Sequence, residues 1–128
     1  ILVDVDVFKA VNDTFGHETG DKLLIKVTKR INKTLRATDT VARMGGDEFT
    51  AILPQMDDEK NIEKVAQLIL EKLSMPFEIN GINIIISASI GISIYPKDSS
   101  NAKDLLQYAD IAMYNSKKQG KGRITFFE

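Results

Sequence analysis

The tightest constraint on this chain is a pair of adjacent glycines, Gly45-Gly46, set between the apolar segments Thr40-Val41-Ala42 and Phe49-Thr50-Ala51-Ile52-Leu53. Glycines flanked this way predict a two-residue β-hairpin turn, because the turns that match strand twist need φ > 0 at their central positions. Two carboxylates, Asp47 and Glu48, follow at once, where the returning strand begins. Alone, such a turn is more often a solvated hairpin than a site. It gains meaning only if other acidic and phosphate-binding features converge on the same end of the fold.

The rest of the chain supplies them. Ile1 to Asp6 alternates as a short strand with Asp4 and Asp6 on one face near its C-terminal end. Val7-Phe8-Lys9 opens a helical turn that Asn12-Asp13-Thr14-Phe15-Gly16 is expected to break. Asp6 serves equally well as the N-cap of that turn or as a ligand. Apolar residues Leu23, Leu24, Val27, Ile31 and Leu35 mark an amphipathic helix from about Glu18 to Arg36, and Ile62, Val65, Ala66, Ile69, Leu70 and Leu73 mark a second that ends by Pro76. The hairpin strands are expected at about 39–44 and 47–53. A second hairpin at Asn80-Gly81 feeds one long strand from Ile82 to Tyr95. A third helix starts near Ser100 or Asn101, buries Leu105, Leu106, Ala109, Ala112 and Met113, with Tyr114 also packed in the core, and stops at Gly120 before a last strand from Arg123 to Phe127.

Apart from the extra hairpin this order is β-α-β-β-α-β-α-β, which contains the split βαβ unit of a ferredoxin-like, mainly antiparallel sheet flanked by helices, an α+β fold. Right-handed crossovers make the first two strands parallel, with the third returning between them. That places Asp4 and Asp6 beside the glycine turn and Asp47.

Composition limits the chemistry. With 128 residues, no cysteine and a net charge of −1, the chain is expected to be one domain, residues 1–128, with a full core and no disulfides. Near-neutral charge gives no field for nucleic acid or an anionic membrane, so any phosphate binding is local. No apolar run approaches the roughly 20 residues of a spanning helix. Opening on Ile1-Leu2-Val3, inside a core strand, reads as an N-terminally incomplete domain. Two carboxylates about 4 Å apart repel by roughly 4 kcal/mol at an effective dielectric near 20, so the acidic cluster needs a proton or a cation. Oxygen ligands without histidine or cysteine favour Mg²⁺ or Mn²⁺, which share one or two carboxylates with substrate phosphates. The free N–H groups of the turn at Val7-Phe8-Lys9 offer those phosphates a landing place. No Walker motif is present. The parts are those of phosphoryl or nucleotidyl transfer.

Asp4-Val5-Asp6-Val7-Phe8-Lys9, Asn12-Asp13-Thr14-Phe15-Gly16-His17, Gly20-Asp21 and Gly45-Gly46-Asp47-Glu48-Phe49 resemble the GGDEF domain of bacterial diguanylate cyclases, and Ala109-Asp110, Ala112-Met113-Tyr114 and Ser116-Lys117 look like that family's last helix. The resemblance covers essentially the whole chain. It implies a nucleotide-cyclase or polymerase palm-like fold and the condensation of two GTP into cyclic di-GMP and pyrophosphate. It further implies that Asp4 and Asp47 hold divalent metal with the Val5 carbonyl, that Gly45 and Gly46 form the catalytic turn, and that Glu48 supports the metal or the ribose. Asn12 and Asp21 would read the guanine edge, whose adjacent N–H donors want oxygen acceptors. Amides near Phe8 and Lys9, with Lys117 and Lys121, would hold the phosphates; position 121 is often arginine in the family. Arg36-Ala37-Thr38-Asp39 matches the R-x-x-D product-inhibition site, whose bland alternative is a helix-ending arginine paired with a surface aspartate. His17 is expected as a structural hydrogen-bonder, and the lysines at 26, 29, 33 and 60 as a solvated face.

The resemblance sets the expected partners: GTP, cyclic di-GMP, a transient homodimer that faces two sites across an isologous contact, an upstream sensor and a downstream EAL domain. The family's domain usually begins one helix earlier, with a D-x-L-T-x-L-x-N-R stretch that this chain lacks. A cytoplasmic domain is expected, with any membrane anchor elsewhere in the parent protein. The rival reading is a non-catalytic GTP- or cyclic di-GMP-binding regulatory module of a GGDEF-EAL phosphodiesterase.

Overall fold

The computed structural model describes residues 1–6 and 8–128; Val7, expected in the phosphate-binding turn, lies outside the described residues. Chain order is β1 (Leu2–Val5), α1 (Phe8–Phe15), α2 (His17–Thr34), β2 (Thr40–Gly45), β3 (Glu48–Ile52), α3 (Glu59–Leu73), β4 (Phe77–Ile79), β5 (Ile82–Ile84), β6 (Ala88–Ile92), α4 (Ala102–Lys118) and β7 (Ile124–Phe126). All four residues of β1 are buried, because both faces of this strand are covered. It sits in the middle of a five-stranded sheet ordered β2-β3-β1-β6-β7. β3 is antiparallel to both β1 and β2, so β1 and β2 run parallel with β3 between them. This is the split βαβ arrangement expected from the order of elements. β6 is antiparallel to β1, and β7 lies parallel to β6 at the edge.

The pleat sorts the sheet into two faces. Val3, Val5, Phe49, Ile90 and Ile92 meet Leu23, Val27 and Ile31 of α2 and Ile69 and Leu73 of α3 in the main core. The alternate residues Leu2, Asp4, Glu48, Thr50, Ser89 and Gly91 face the other way, toward α4. There Leu2 packs with Ala109 and Met113. A Cβ at Gly91 would lie 2.0 Å from the Ala109 carbonyl oxygen and 2.3 Å from the Met113 nitrogen. The α4 backbone therefore rests directly on β6, which fixes the helix register and so the placement of every side chain it carries over the sheet.

Several expected elements differ in detail. α1 stays helical through Asn12, Asp13 and Thr14 and breaks only at Gly16, whose φ of 93° is the one left-handed step the corner requires. Asparagine, aspartate and threonine are only mildly poor helix formers, so a short helix tolerates them. The long strand expected over Ile82–Tyr95 is two strands: β5 pairs with β4 in a separate two-stranded sheet, and β6 joins the main one. Ile84, Ile86 and Ala88 stay buried while Ile85 is 70% exposed. Alternation thus runs unbroken through a change of hydrogen-bonding partner. The first hairpin turns one residue later than expected, at Gly46-Asp47, because a register shift between Arg43 and Gly45 takes up one residue. α2 ends earlier than expected, at Thr34, whereas α3 stops at Leu73, ahead of Pro76 as expected. On α4, Met113 is buried as expected, but Leu106 and Tyr114 are exposed. The contact with β6 uses small residues, and Tyr114 points outward beneath the Lys118 ammonium.

Candidate active site

The carboxylates converge at the C-terminal end of β1. Register places Asp4 directly between Glu48 on β3 and Ser89 on β6. The Val5 N–H donates to the Asp47 carbonyl at 3.1 Å, pinning the hairpin turn to the end of β1. Gly46, with φ 51°, supplies the left-handed step that brings Asp47 there. From the opposite side Lys117, on the last turn of α4, reaches Asp4 Oδ2 at 2.8 Å. Asp4 is 5% exposed, and its other oxygen, Oδ1, is buried without a hydrogen-bond partner among the described residues.

The charges do not balance. Burial pushes Asp4 up to about 6; the Lys117 hydrogen bond works against this, and the charges of Asp47 and Glu48 add to it. Glu48 is raised too, by burial and then by Asp110 and Asp47. Burial pulls the Lys117 ammonium down, but its bond to Asp4 and the charges of Asp4, Asp6 and Asp47 outweigh that and leave it raised. One ammonium faces several carboxylates. The ensemble is short of positive charge.

That shortage and the orphaned Asp4 Oδ1 fit a hard divalent cation held by Asp4 and Asp47, with Glu48 beside them. Among the described residues no three acidic, histidine or cysteine side chains form a ready-made cage. Two carboxylates completed by substrate phosphates and water suit Mg²⁺ or Mn²⁺, which keep part of their hydration. The first N–H groups of α1, from Phe8 and Lys9, follow β1 within a few residues. Lys9 is exposed, whereas Phe8 is half-buried and contributes its ring to packing. Lys121 sits exposed in the loop after α4, at φ 63°.

A second pair of residues lies where α1 packs on α2. A Cβ at Gly20 would lie 1.8 Å from Asn12 Oδ1 and 3.3 Å from the tip of the Phe8 ring. The missing side chain at Gly20 therefore creates the seat in which the Asn12 carboxamide lies. Asn12 Oδ1 is buried and has no partner there among the described residues, and Asp21, the next residue along α2, is exposed. The steric role of Gly20 was not visible in its spacing, nor was the charge of Asp110 facing Glu48. Both depend on which helix face meets which strand.

The remaining expected residues fall elsewhere. Arg36 and Asp39 bond each other: Nη2 to Oδ1 at 2.8 Å, Nε to both oxygens at 3.1 and 3.2 Å, and the Arg36 N–H to Oδ2 at 2.8 Å. Arg36 Nη2 also donates to the Pro54 carbonyl at 2.7 Å. The Asp39 side chain is 1% exposed and Arg36 about half exposed. The Arg36 hydrogen bond, opposed by burial, holds Asp39 below the usual carboxylate range. Asp6, read as an N-cap or a ligand, accepts from Ser87 Oγ, Ser89 Oγ and the Gly122 N–H. His17, expected as a hydrogen-bonder, is the exposed first residue of α2 and bonds to nothing among the described residues. The lysines at 26, 29, 33 and 60 are exposed as expected.

A βαββαβ sheet whose carboxylates gather at the end of its first strand and the adjoining hairpin has the palm architecture of nucleotide cyclases. Comparison with known proteins agrees. The family model described as diguanylate cyclase, GGDEF domain, matches residues 1–123. The chain is 43% identical over 128 residues to the bifunctional diguanylate cyclase/cyclic di-GMP phosphodiesterase MucR of Pseudomonas aeruginosa, covering 100% of this chain and 18% of MucR. It superposes on the crystal structure of the GGDEF domain of YfiN (TpbB) from the same organism with a TM-score of 0.97 at 36% identity, covering 99% of this chain and 80% of that one. The GGDEF domain of DgcB from Caulobacter crescentus, solved in complex with cyclic di-GMP, superposes with a TM-score of 0.87 at 29% identity, over 98% of this chain and 74% of that one. The chain belongs to the GGDEF family.

Proposed function

We propose that this domain is a diguanylate cyclase, condensing two GTP into cyclic di-GMP with release of two pyrophosphates. The observation that carries this reading is the unpartnered, buried Asp4 oxygen beside Asp47 and Glu48, an electrostatic deficit in which a divalent cation and a triphosphate fit together. When bound, the metal would neutralise phosphate charge and polarise the reacting oxygens. The chain's own residues do the rest. Asn12 and Asp21 accept the guanine N1–H and N2–H₂ groups; the α1 amides of Phe8 and Lys9, with Lys117 and Lys121, hold the phosphates. Lys117, which holds Asp4 Oδ2 at 2.8 Å, would turn to the phosphates when nucleotide binds. The turn at Gly45 and Gly46 lets the nucleotide approach the backbone. Each site presents one nucleotide, so the 3′-hydroxyl of one GTP meets the α-phosphate of the other only when two copies face each other in a transient two-fold pair. A cytoplasmic domain fits GTP as substrate. No helix among the described residues is long and apolar enough to cross a membrane. The chain spans 18% of MucR, and an upstream sensor and a downstream EAL domain in the parent protein fit that proportion.

The test is incubation with GTP and Mg²⁺. One cyclic di-GMP and two pyrophosphates per two GTP support the cyclase. One observation favours a second reading: the Lys117–Asp4 ion pair already occupies one metal-facing oxygen, as a non-catalytic GTP- or cyclic di-GMP-binding module would allow. GTP bound tightly and returned unchanged would establish that module instead.

Arg36 and Asp39 are proposed as the product-inhibition site, the outward guanidinium offering a fork to phosphate or a guanine Hoogsteen edge. Arg36→Ala is expected to weaken cyclic di-GMP binding by about 10- to 150-fold, the loss of one charged hydrogen bond at about 1.5–3 kcal/mol. It also strips the buried Asp39 carboxylate of its partner. Asp39 is depressed in the folded chain, so the pair stabilises the fold above the unfolded carboxylate value near ~4 and loses that contribution as pH falls through the lower folded value. Arg36→Ala should therefore melt below wild type at pH 7 and converge on it in acid. Calorimetric titration with cyclic di-GMP and melting curves against pH check both; equal product affinity in the two proteins reduces the match to a structural ion pair.

A further inference from the structure

Asp6 is 2% exposed, and among the described residues its carboxylate bonds only to groups at least 81 positions away. Oδ1 accepts from Ser89 Oγ at 2.8 Å, and Oδ2 from Ser87 Oγ at 2.6 Å and from the Gly122 N–H at 3.2 Å. The Asp6 N–H donates to the Ser87 carbonyl at 2.9 Å, so the residue is fixed by its backbone as well. Ser89 lies on β6 and Ser87 just ahead of it, whereas the third bond reaches the loop between α4 and β7. In that loop Gly120, Lys121 and Gly122 have φ of 117°, 63° and 58° in succession. Lysine has no intrinsic reason to occupy the left-handed region, and a residue held there persists only where its surroundings over-determine it. Two bonds do so: the Lys121 N–H donates to the Ser116 carbonyl at 3.1 Å, and the Gly122 N–H donates to Asp6. A charged acceptor makes the second of these the stronger kind of hydrogen bond.

We propose that Asp6 is a positioning residue for phosphate binding: its buried carboxylate clamps the left-handed turn Gly120-Lys121-Gly122 to the end of β1 and thereby sets where Lys121 meets the nucleotide. The end of β1 tethers both lysines read as phosphate ligands, Lys117 through its 2.8 Å bond to Asp4 and the Lys121 turn through Asp6. The acidic strand end thus divides its labour, Asp4 toward the cation and Asp6 toward the loop that carries the cationic side chain. This rests on Lys121 contacting phosphate.

The test uses the full chain and two probes, a non-hydrolysable GTP analogue and GMP, titrated into wild type, Asp6→Asn, Lys121→Gln and the double variant. Asparagine keeps the size of Asp6 but replaces a charged acceptor with one that carries its own N–H groups, so the Gly122 bond is the one it weakens. Lys121→Gln is expected to weaken the triphosphate analogue about tenfold, the scale of one lost charged hydrogen bond. Asp6→Asn should weaken it comparably and leave GMP unchanged, and should add nothing in the Lys121→Gln background, because the two act through one contact. Equal losses for GMP and triphosphate, or additive losses in the double variant, overturn the proposal and make Asp6 a general stabiliser of the sheet end. No effect of Lys121→Gln alone removes Lys121 from the phosphate site and takes the proposal down with it, while the cyclase reading survives. Should Asp6→Asn fail to fold, amide exchange in wild type decides: slow exchange at Gly122 supports the clamp, and exchange as fast as in an open loop overturns it.

Discussion

Asp47→Asn is expected to lower cyclic di-GMP formation by about 10²–10³-fold or more, the range found when one electrostatic contact to a developing charge is removed, while the chain stays folded. The structure separates the two effects. Asp47 lies in a two-residue loop and is only half-buried, and its contribution to the fold is the main-chain carbonyl that accepts from the Val5 N–H. Asparagine keeps that carbonyl and the size of the side chain, and removes one negative charge from the cluster around Asp4. The same substitution relieves the repulsion that helps to raise Asp4 and Glu48, so the variant should be at least as stable as wild type. Turnover measured beside a circular-dichroism melt distinguishes the outcomes. Near-normal turnover would remove Asp47 from the metal site, and loss of the fold would show that the side chain is structural.

Gly20→Ala is expected to collapse the preference for GTP over ATP. The added methyl would lie 1.8 Å from Asn12 Oδ1, so either the carboxamide swings out of its seat or α1 moves off α2. Alanine is the better helix former by about 1 kcal/mol, so intrinsic propensity does not work against the variant. What is lost is the buried acceptor proposed to take a guanine donor. A site built around hydrogen-bonding acceptors rejects a base lacking the matching donors because its buried groups are then left unpaired, and wild type should discriminate against ATP by at least about 10²-fold. Removing one good edge contact, worth about 1–3 kcal/mol, should weaken GTP by roughly 5- to 150-fold and leave ATP unchanged. Asn12→Ala should match Gly20→Ala, and the pair combined should be no worse than either alone. Competition between GTP and ATP in the four proteins checks this, and equal binding of the two nucleotides by wild type would remove Asn12 and Asp21 from the base-reading role.

How far the residues alone carry such an account depends on what each feature rests on. The alternation of β1, the glycine turn and the three periodic helices specify burial, and with right-handed crossovers they specify the sheet order and bring Asp4 to Asp47. Periodicity says nothing about hydrogen-bonding partners, so the break between β5 and β6, across which Ile84, Ile86 and Ala88 keep a single alternation, stayed hidden. The one-residue displacement of the first hairpin has the same origin, a bulge before Gly45 that leaves composition untouched. Tyr114 fits an apolar pattern, but the face of α4 that meets β6 is chosen by the fit of Ala109 and Met113 to Gly91, a tertiary contact. The Lys117–Asp4 and Asp6–Gly122 bonds, across more than a hundred residues, follow from that same docking. Asn12 and Asp21 were named by resemblance, whereas the reason Gly20 must precede Asp21 appeared only when α1 lay on α2.

The central claim is that one chain carries half of a reaction centre, and the initial rate of cyclic di-GMP formation measured across a wide range of chain concentration, with GTP and Mg²⁺ saturating, tests it most directly. Two facing sites predict that product forms and that the rate per chain rises in proportion to chain concentration until pairing saturates. A folded chain that binds GTP yet forms no cyclic di-GMP at any concentration, or forms it at a constant rate per chain down to concentrations where only monomer exists, would contradict it.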